Sequence, residues 1–404
     1  MSKLAMVGGE AVRKAPWPAW PFFEQDEIDA VSAVLSSGRV NYWTGDECKS
    51  FEREFATYVG RRYCIALANG TLALELALVA YGIGPGDEVV VPSKTFIASA
   101  SCVVVRGATP VIADIDPVTQ GLSAETIAAV LTERTRAIIV VHLAGIPCDM
   151  TPILQLAKER GLIVIEDCAQ AHGGRYRGAM LGSFGHCSAF SFCQDKIMTT
   201  GGEGGLFLTD DEDVWRRAWA YKDHGKSWAT VHEAEHPPGF RWLHESFGTN
   251  WRMTEMQAAI GRRQLAKLDD WIRRRTRNAA ILEAGFKDIL GIITVAMPDW
   301  AEPAYYKYYA FVDSTKLLAG WDRTRIVDSI AAEGVPCFVG SCGEIYREKA
   351  FSQACLGPKK RLPEAMRQGE TSLMFLIHPT LGDAEMRDVC RAVKKVMAVA
   401  VGAG

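Results

Sequence analysis

The chain has 404 residues, of which 48% are hydrophobic, and a formal net charge of −3 from 45 basic and 48 acidic residues. This length is enough to bury a large core and favours two domains. Because the charges are mixed along the chain, and no apolar run approaches the ~20 residues of a membrane span, the composition argues against nucleic-acid and membrane proteins.

Eleven cysteines are present, but no C-x-x-C pair occurs and most of them stand singly in apolar runs. This pattern is typical of reduced, buried thiols. The N-terminus lacks the apolar segment of a signal peptide. We therefore expect a cytoplasmic protein.

The first sixty residues predict a Pro/Trp-rich lead-in, Pro16 to Pro21, followed by a helix over 26–35. A loop with the sequence Asn-Tyr-Trp-Thr-Gly comes next, at 41–45. Its two aromatic residues, Tyr42 and Trp43, are equally consistent with packing in the core and with contacting a ligand.

From residue 61 to about 210, short β-rich runs alternate with helical patterns. Continuous apolar strands separated by helices predict an α/β fold with a mostly parallel sheet covered on both faces. A further strand at 205–209 predicts a hairpin. Ligands of such sheets bind at the carboxyl ends of the strands, so the residues that follow each strand are the candidates for a site.

Three of these strand ends carry groups with a specific chemical use. Asn69-Gly70-Thr71 opens a helix, where free N–H groups suit a phosphate, although an ordinary helix cap has the same pattern. Asp167 directly follows a buried strand and needs a cationic partner, either an arginine or a protonated ring nitrogen of a ligand. Phe96 could stack on a flat ligand or pack in the core.

A fourth strand end, Phe190 to Gly205, holds Lys196 between an apolar run and two glycine pairs. Burial disfavours the ammonium form of lysine, so such an amine can attack a carbonyl and form an imine. A surface lysine after a strand is the alternative. Together, a phosphate cradle, a stacking ring, a carboxylate and an amine are the groups that bind pyridoxal phosphate.

Four strings of residues, in this order, resemble the DegT/DnrJ/EryC1/StrS family of sugar aminotransferases. They are Asn69-Gly70-Thr71-Leu72-Ala73-Leu74, Glu166 to Gly173, Ser191-Phe192 with Lys196 and Gly202 to Gly205, and Gly248 to Gly261. The resemblance covers nearly the whole chain. It implies a fold type I transferase dependent on pyridoxal phosphate, with a large domain and a smaller C-terminal α/β domain.

The resemblance also implies a role for individual residues. Lys196 would be the Schiff-base lysine, Asp167 the partner of the pyridine nitrogen, and Gln170 a neighbour of the ring hydroxyl. Phe96 would stack on the ring, and the phosphate would be bound by Gly70, Thr71 and Ser191. An asparagine at the position of Asn250 would reach the phosphate across the interface of a homodimer with shared active sites. Since relatives with histidine at the lysine position dehydrate sugars, Lys196 favours transamination.

Two motifs between residues 211 and 260 point to other chemistry and are rejected. Residues 221–227 end like a phosphate-binding loop, but Ala220 replaces the required glycine. His232-Glu233-Ala234-Glu235-His236 matches a metalloprotease pattern, but two prolines follow at once and disfavour the helix that would place both histidines on one face. We expect no metal and interpret this polar segment as a solvated loop near the substrate entrance.

For the substrate we select residues that could hold two phosphates and a base. They are Tyr42, Trp43, Lys222, His224, Arg252 and Tyr346, supported by Lys226, Arg241 and Trp242. From residue 266 onward a charged helix leads to a smaller α/β unit, so the predicted domains are 1–265, which include the lead-in, and 266–404.

The sequence thus predicts an aminotransferase of the EC 2.6.1 class. It would convert a keto sugar that is linked to a nucleotide into an amino sugar, and glutamate or glutamine would donate the amino group. One alternative is amination of a free cyclic ketone such as an inosose, or the related aminobenzoate-forming chemistry. The other is a regulator that binds the cofactor without catalysis, which the presence of Lys196 and Asp167 disfavours.

Overall fold

The computed structural model describes residues 3–402. Its strands are β1 Tyr63–Leu67, β2 Glu88–Pro92, β3 Thr109–Ala113, β4 Thr135–Val141, β5 Ile163–Asp167, β6 Arg175–Tyr176, β7 Ala179–Met180, β8 Cys187–Ser191, β9 Gly205–Thr209, β10 Ile292–Ile293, β11 Ala301–Glu302, β12 Tyr308–Val312, β13 Cys337–Phe338 and β14 Ser372–Phe375.

The helices are α1 Gln25–Ser37, α2 Glu47–Val59, α3 Gly70–Ala80, α4 Ala98–Val105, α5 Ala124–Ala128, α6 Met150–Arg160, α7 Glu212–Lys222, α8 Trp228–His232, α9 Glu255–Phe286, α10 Arg323–Ala332, α11 Lys349–Gln353, α12 Pro363–Thr371 and α13 Asp383–Ala400.

Seven strands form the central sheet in the order β1-β9-β8-β5-β4-β2-β3. Only β9 runs antiparallel to its neighbours, β1 and β8, so the predicted mostly parallel sheet and its hairpin strand are confirmed. Apolar side chains cover both faces: α2, α6 and α9 pack on one, and α3, α4 and α7 on the other. Burial on both faces explains why these strands read as continuous apolar runs.

A second, smaller unit contains the antiparallel sheet β10-β12-β14-β13. Its core lies between that sheet and helices α10 and α13. The predicted domain boundary after residue 265 falls inside α9, which is continuous over 32 residues and contributes side chains to both cores. A single rigid helix therefore joins the two units.

The lead-in packs differently from the prediction that grouped it with the large domain. Leu4 belongs to the core of the smaller unit. The Arg13 guanidinium donates to Asp388 at 2.9 Å, and the backbone N–H of Ala5 donates to Glu333 at 2.9 Å. Residues 4–13 are thus attached to the C-terminal unit, a long-range pairing that no local pattern could indicate.

The segment between β9 and α9 contains helices α7 and α8, followed by residues 233–247, which lie outside helices and are mostly exposed, like the solvated loop that was predicted. It begins with α7, which Asp211 caps by accepting the N–H of Val214 at 3.0 Å.

No helix among residues 3–402 has the length and apolar content needed to cross a membrane.

Candidate active site

The carboxyl ends of the central strands and the edge of the smaller unit enclose a cavity of about 830 Å³. Seven of the predicted cofactor residues and the neighbouring Asn69 line it: Gly70, Thr71, Phe96, Asp167, Gln170, Ser191 and Lys196. Four different strand ends thus converge on one space, as the rule for parallel sheets predicts.

The junction of β1 and α3 forms one wall of the cavity. Asn69 caps α3 by accepting the backbone N–H of Leu72 at 3.0 Å, which leaves the N–H groups of Gly70 and Thr71 without a partner in the helix. A Cβ atom at residue 70 would lie 2.5 Å from the Cβ of Ser191, so only glycine permits this approach. The result is a cradle of N–H and hydroxyl donors suited to a phosphate.

Asp167, at the end of β5, is buried at the back of the cavity. Its Oδ2 accepts the Ser99 hydroxyl at 2.9 Å, and its Oδ1 accepts the N–H of Ala169 at 3.1 Å. Burial raises the pKa of this carboxyl above its ordinary value, and the two hydrogen bonds oppose that rise. Among residues 3–402 no arginine, lysine or histidine forms an ion pair with it, so a cationic group of a ligand fits here.

Lys196 lies in the loop between β8 and β9, half-buried, with its Nζ 5.2 Å from the centre of the Tyr306 ring. Two hydrogen bonds fix the backbone of Lys196. Its N–H donates to the Cys193 carbonyl at 3.1 Å, and its carbonyl accepts the Trp20 indole N–H at 2.9 Å. The amine therefore projects from a fixed position into the cavity.

The remaining predicted cofactor residues lie near this amine and carboxylate. The Gln170 side-chain oxygen accepts the N–H of Ala144 at 2.7 Å, which directs the amide NH₂ away from that loop. Phe96 is 66% exposed and presents a ring face to the cavity. A buried carboxylate without a cation, a phosphate-sized cradle that a Cβ would fill, an open aromatic face and a lysine amine together fit pyridoxal phosphate.

Sequence reasoning missed several residues of this site. Ser99 orients Asp167, and Thr95 lies 2.9 Å from the Ser99 hydroxyl. Tyr306 donates its hydroxyl to Asp195 beside Lys196. Ser99 could have been noticed as a polar residue in an apolar helix just after Phe96. Tyr306 could not, because it comes from the other unit.

The predicted substrate residues do not join this cavity. Tyr42 is 4% exposed, and the Lys222 Nζ is fully buried 3.4 Å from the centre of the Tyr42 ring. This burial contradicts the interpretation of Lys222 and Tyr42 as exposed binding groups. Lys222 ends α7 facing α2, where the carboxyl of Glu52 attracts it, and burial lowers its pKa to about 8.

The other substrate candidates are placed as follows. Trp43 lines a separate cavity of about 640 Å³ together with Trp215 and Trp228. Arg252 donates to Asp223 at 2.7 Å. His224 is exposed outside the cavity, and Tyr346 bonds to Glu344 and to the N–H of Leu362.

Asn250 is exposed and does not line the cavity of its own chain. It lies between two backbone anchors: Thr249 and Trp251 pair with the end of α7, and the Trp251 carbonyl accepts the N–H of Ala68 at 2.9 Å.

The rejected metal motif forms no cluster of ligands. His232 packs against Trp228 with tilted rings whose centres are 3.9 Å apart, and His236 Nε2 lies 2.6 Å from the Thr230 carbonyl. Within the described part of the chain, the triads spaced for a metal lie elsewhere. One of them, His142 with Glu166 and Cys168, is buried, and its carboxylate is already bonded by the backbone N–H groups of Gly182, Phe184 and Gly185.

The model of the DegT/DnrJ/EryC1/StrS aminotransferase family matches residues 21–394. The chain belongs to this family. It is an aminotransferase of the EC 2.6.1 type that depends on pyridoxal phosphate, and its fold is that of the type I enzymes.

Three relatives illustrate the likeness. The structure of an aminotransferase from Psychrobacter cryohalolentis superposes with a TM-score of 0.93 at 54% identity and covers 95% of this chain and 100% of that one. A GDP-perosamine synthase of Caulobacter vibrioides is 48% identical over 64% of this chain and 67% of its own. An L-glutamine:2-deoxy-scyllo-inosose aminotransferase of Streptomyces kanamyceticus is 36% identical over 98% of this chain and 97% of its own.

Proposed function

We propose that this aminotransferase converts a nucleotide-linked keto sugar to an amino sugar, with L-glutamate or L-glutamine as the amino donor. The observation that carries the proposal is the 48% identity with a GDP-perosamine synthase, whose name specifies a product carried on guanosine diphosphate. The cavity supports it, since about 830 Å³ accommodates a sugar beside the cofactor.

The site residues have distinct tasks in this reaction. Pyridoxal phosphate, when bound, supplies an aldehyde for the amine and a ring that withdraws electrons. Asp167 would keep a proton on the ring nitrogen, because a buried carboxylate stabilises an adjacent cation. Lys196 would hold the aldehyde between turnovers, and its Nζ would then move a proton to or from the donor α-carbon. Phe96 would cover one ring face, and Gly70, Thr71 and Ser191 would bind the phosphate.

The proposal includes a homodimer with shared active sites. Asn250 is exposed on a segment that is anchored to β1 and α7, and it does not line the cavity of its own chain. An exposed amide on a rigid support is suited to contact the phosphate bound by a second copy. All eleven cysteines are free, which supports a reducing compartment, the cytoplasm.

A substrate panel tests the proposal. The enzyme is incubated with L-glutamate or L-glutamine and a series of keto sugars linked to nucleoside diphosphates, and mass spectrometry detects amination. We expect amination of at least one of these sugars. A free nucleoside diphosphate should inhibit competitively against that sugar, and the inhibition should weaken as salt screens the phosphate contacts.

A free cyclic ketone is the second candidate substrate. It is favoured by the alignment with the inosose aminotransferase, which extends over nearly the whole of both chains. If 2-deoxy-scyllo-inosose is aminated efficiently while nucleoside diphosphates do not inhibit, the second candidate replaces the first. If no ketone of either class is aminated, both are wrong.

A further inference from the structure

Lysines 196 and 307 are the cations that line the active-site cavity within the described part of the chain. Both lie against the ring of Tyr306, with the Lys307 Nζ 4.7 Å and the Lys196 Nζ 5.2 Å from its centre. Lys196 is committed to the aldehyde of the cofactor. Lys307 is therefore the positive charge that remains for a substrate.

The backbone holds Lys307 in place. It directly precedes β12, and the N–H of Tyr306 donates to the Ala144 carbonyl at 2.8 Å. Arg275, which is 1% exposed, donates from Nη1 to the carbonyls of Tyr305 and Tyr306, each at 3.2 Å. These bonds come from both units, so the side chain starts from a rigid support next to the reacting amine.

No carboxylate in residues 3–402 lies within 4.0 Å of the Lys307 ammonium. Asp195, which lines the same cavity, accepts the hydroxyl of Tyr306 instead. A partly desolvated ammonium without a counter-ion is unfavourable, and an anionic ligand removes that cost.

We propose that Lys307 binds the α-carboxylate of the amino donor. The inference rests on the proposed function, in which an α-amino acid supplies the amine. Every such donor carries a carboxylate on the carbon that bears its reacting nitrogen, so this charge enters the cavity close to Lys196. The cofactor phosphate has its own donors at Gly70, Thr71 and Ser191, which leaves Lys307 for the carboxylate. A charge-assisted hydrogen bond would fix the donor's orientation.

The charge on Lys307 depends on pH. Burial lowers the pKa of its ammonium to about 8, Asp195 opposes this change, and the charges of Arg275 and Lys196 add to it. The phenol of Tyr306 and the ring of His378 also face this region, and both are neutral near pH 8, since burial raises the pKa of Tyr306 and lowers that of His378 to about 3. Below pH 8 the ammonium attracts a carboxylate. Above pH 8 it loses its proton, and binding of the donor should weaken.

The test compares the holoenzyme with Lys307→Met, Lys307→Arg and, as a matched control, Lys316→Met, which replaces an exposed lysine of the same unit. Rapid mixing with L-glutamate, without any ketone, measures the donor half-reaction by the change in cofactor absorbance. We expect the half-saturating glutamate concentration to rise about ten- to hundredfold in Lys307→Met, because a hydrogen bond to a charged group is lost. The KM of the ketone should not change, and Lys316→Met should behave like the wild type in both measurements.

Two further measurements separate binding from a general structural effect. Calorimetry with glutarate, which cannot react, should show the same loss of affinity in Lys307→Met and none in Lys316→Met. In the wild type, the half-saturating glutamate concentration should rise above pH 8, whereas Lys307→Arg should remove this rise because arginine keeps its charge.

An unchanged glutarate affinity in a folded Lys307→Met variant overturns the proposal. So does a raised KM for the ketone with an unaffected donor, which would assign Lys307 to a substrate phosphate. If the wild type accepts no amino acid, the proposed function fails, and the glutarate measurement still decides whether Lys307 binds carboxylates.

Discussion

Three lysines, Lys94, Lys196 and Lys222, have different surroundings in the folded chain. Lys94 and Lys222 are fully buried. The Lys94 Nζ donates to the side-chain oxygens of Gln120 and Gln368, and burial lowers its pKa to about 7. Lys196 alone of these three reaches the cavity that contains Asp167. Position relative to the buried carboxylate, not burial of the amine, therefore separates Lys196 from Lys94 and Lys222.

Borohydride reduction of the holoenzyme should attach the cofactor covalently to Lys196. Peptide mapping by mass spectrometry checks the position, and Lys196→Ala should carry no label. A label found on Lys94 or Lys307 instead would show that the wrong amine has been selected.

The Asp167→Asn variant should keep that label but lose turnover by a factor of about a hundred or more. A neutral amide cannot hold the ring nitrogen protonated, and removing one partner of a buried ion pair costs about 3–5 kcal/mol. Steady-state kinetics measures the loss, with Asp213→Asn, an exposed acid on α7, as the control. Activity near that of the wild type would make Asp167 a structural residue.

At the scale of elements, residues that line the cavity and residues of the core lie within a few positions of each other at a strand end. Asp167, the last residue of β5, lines the cavity, whereas His172 is fully buried among Phe55, Phe190 and Phe192, with ring centres 5.1 to 6.4 Å away. Within residues 3–402, neither ring nitrogen of His172 has a hydrogen-bond partner. Burial, together with the charges of Lys196 and Arg275, lowers its pKa to about 3.

This histidine should make stability depend on pH. Its pKa is about 3 in the folded state and ~6.5 in the unfolded state, so the unfolded chain binds the extra proton. The contribution is fully present above pH 6.5 and is lost as the pH falls, by about 1.4 kcal/mol at pH 5.5. Chemical denaturation between pH 5 and 7.5 measures it. His172→Phe should show a smaller loss than the wild type, whereas His244→Phe, at an exposed position, should not; equal slopes in all three would contradict this assignment.

At the scale of the whole molecule, the cavity exists because the two units pack together. Tyr306 and Lys307 come from the smaller unit and face Lys196 of the larger one. The buried Lys94 joins them as well, since it bonds to Gln368 on α12. Helix α9 and the lead-in cross between the units and fix their relative position.

The proposed sharing of sites between two copies predicts complementation. Lys196→Ala should be inactive and Asn250→Ala weakly active as homodimers. After mixing and subunit exchange, one of the two sites in a mixed dimer contains both Lys196 and Asn250, so activity should partly return. Native mass spectrometry monitors the exchange. Complete exchange without recovered activity would mean that each site is built from one chain.

The sequence by itself was sufficient for the fold class and for a set of strand-end residues that line one cavity. Apolar runs and helical periodicity are local signals, and the topology of a parallel sheet brings strand ends such as those of Gly70, Asp167 and Lys196 to one edge. Only the tertiary structure decided which polar residues outside the sheet reach the site. Lys222 and Tyr42 are polar enough for a substrate entrance, yet the end of α7 places the Lys222 ammonium against the Tyr42 ring, and both side chains are buried there.

The same reason explains the residues that were missed. Lys307 stands between two pairs of tyrosines that suggest a core strand, and Arg275 lies in an arginine run that suggests a solvated helix face. The position of Lys307 depends on the bond from Tyr306 to Ala144 of the other unit, and Arg275 bonds to Tyr305 and Tyr306, which are distant from it in sequence. A local sequence pattern shows whether a side chain is polar or apolar. The burial of that side chain and its contacts depend on which helices and strands pack together, and only the tertiary structure shows this.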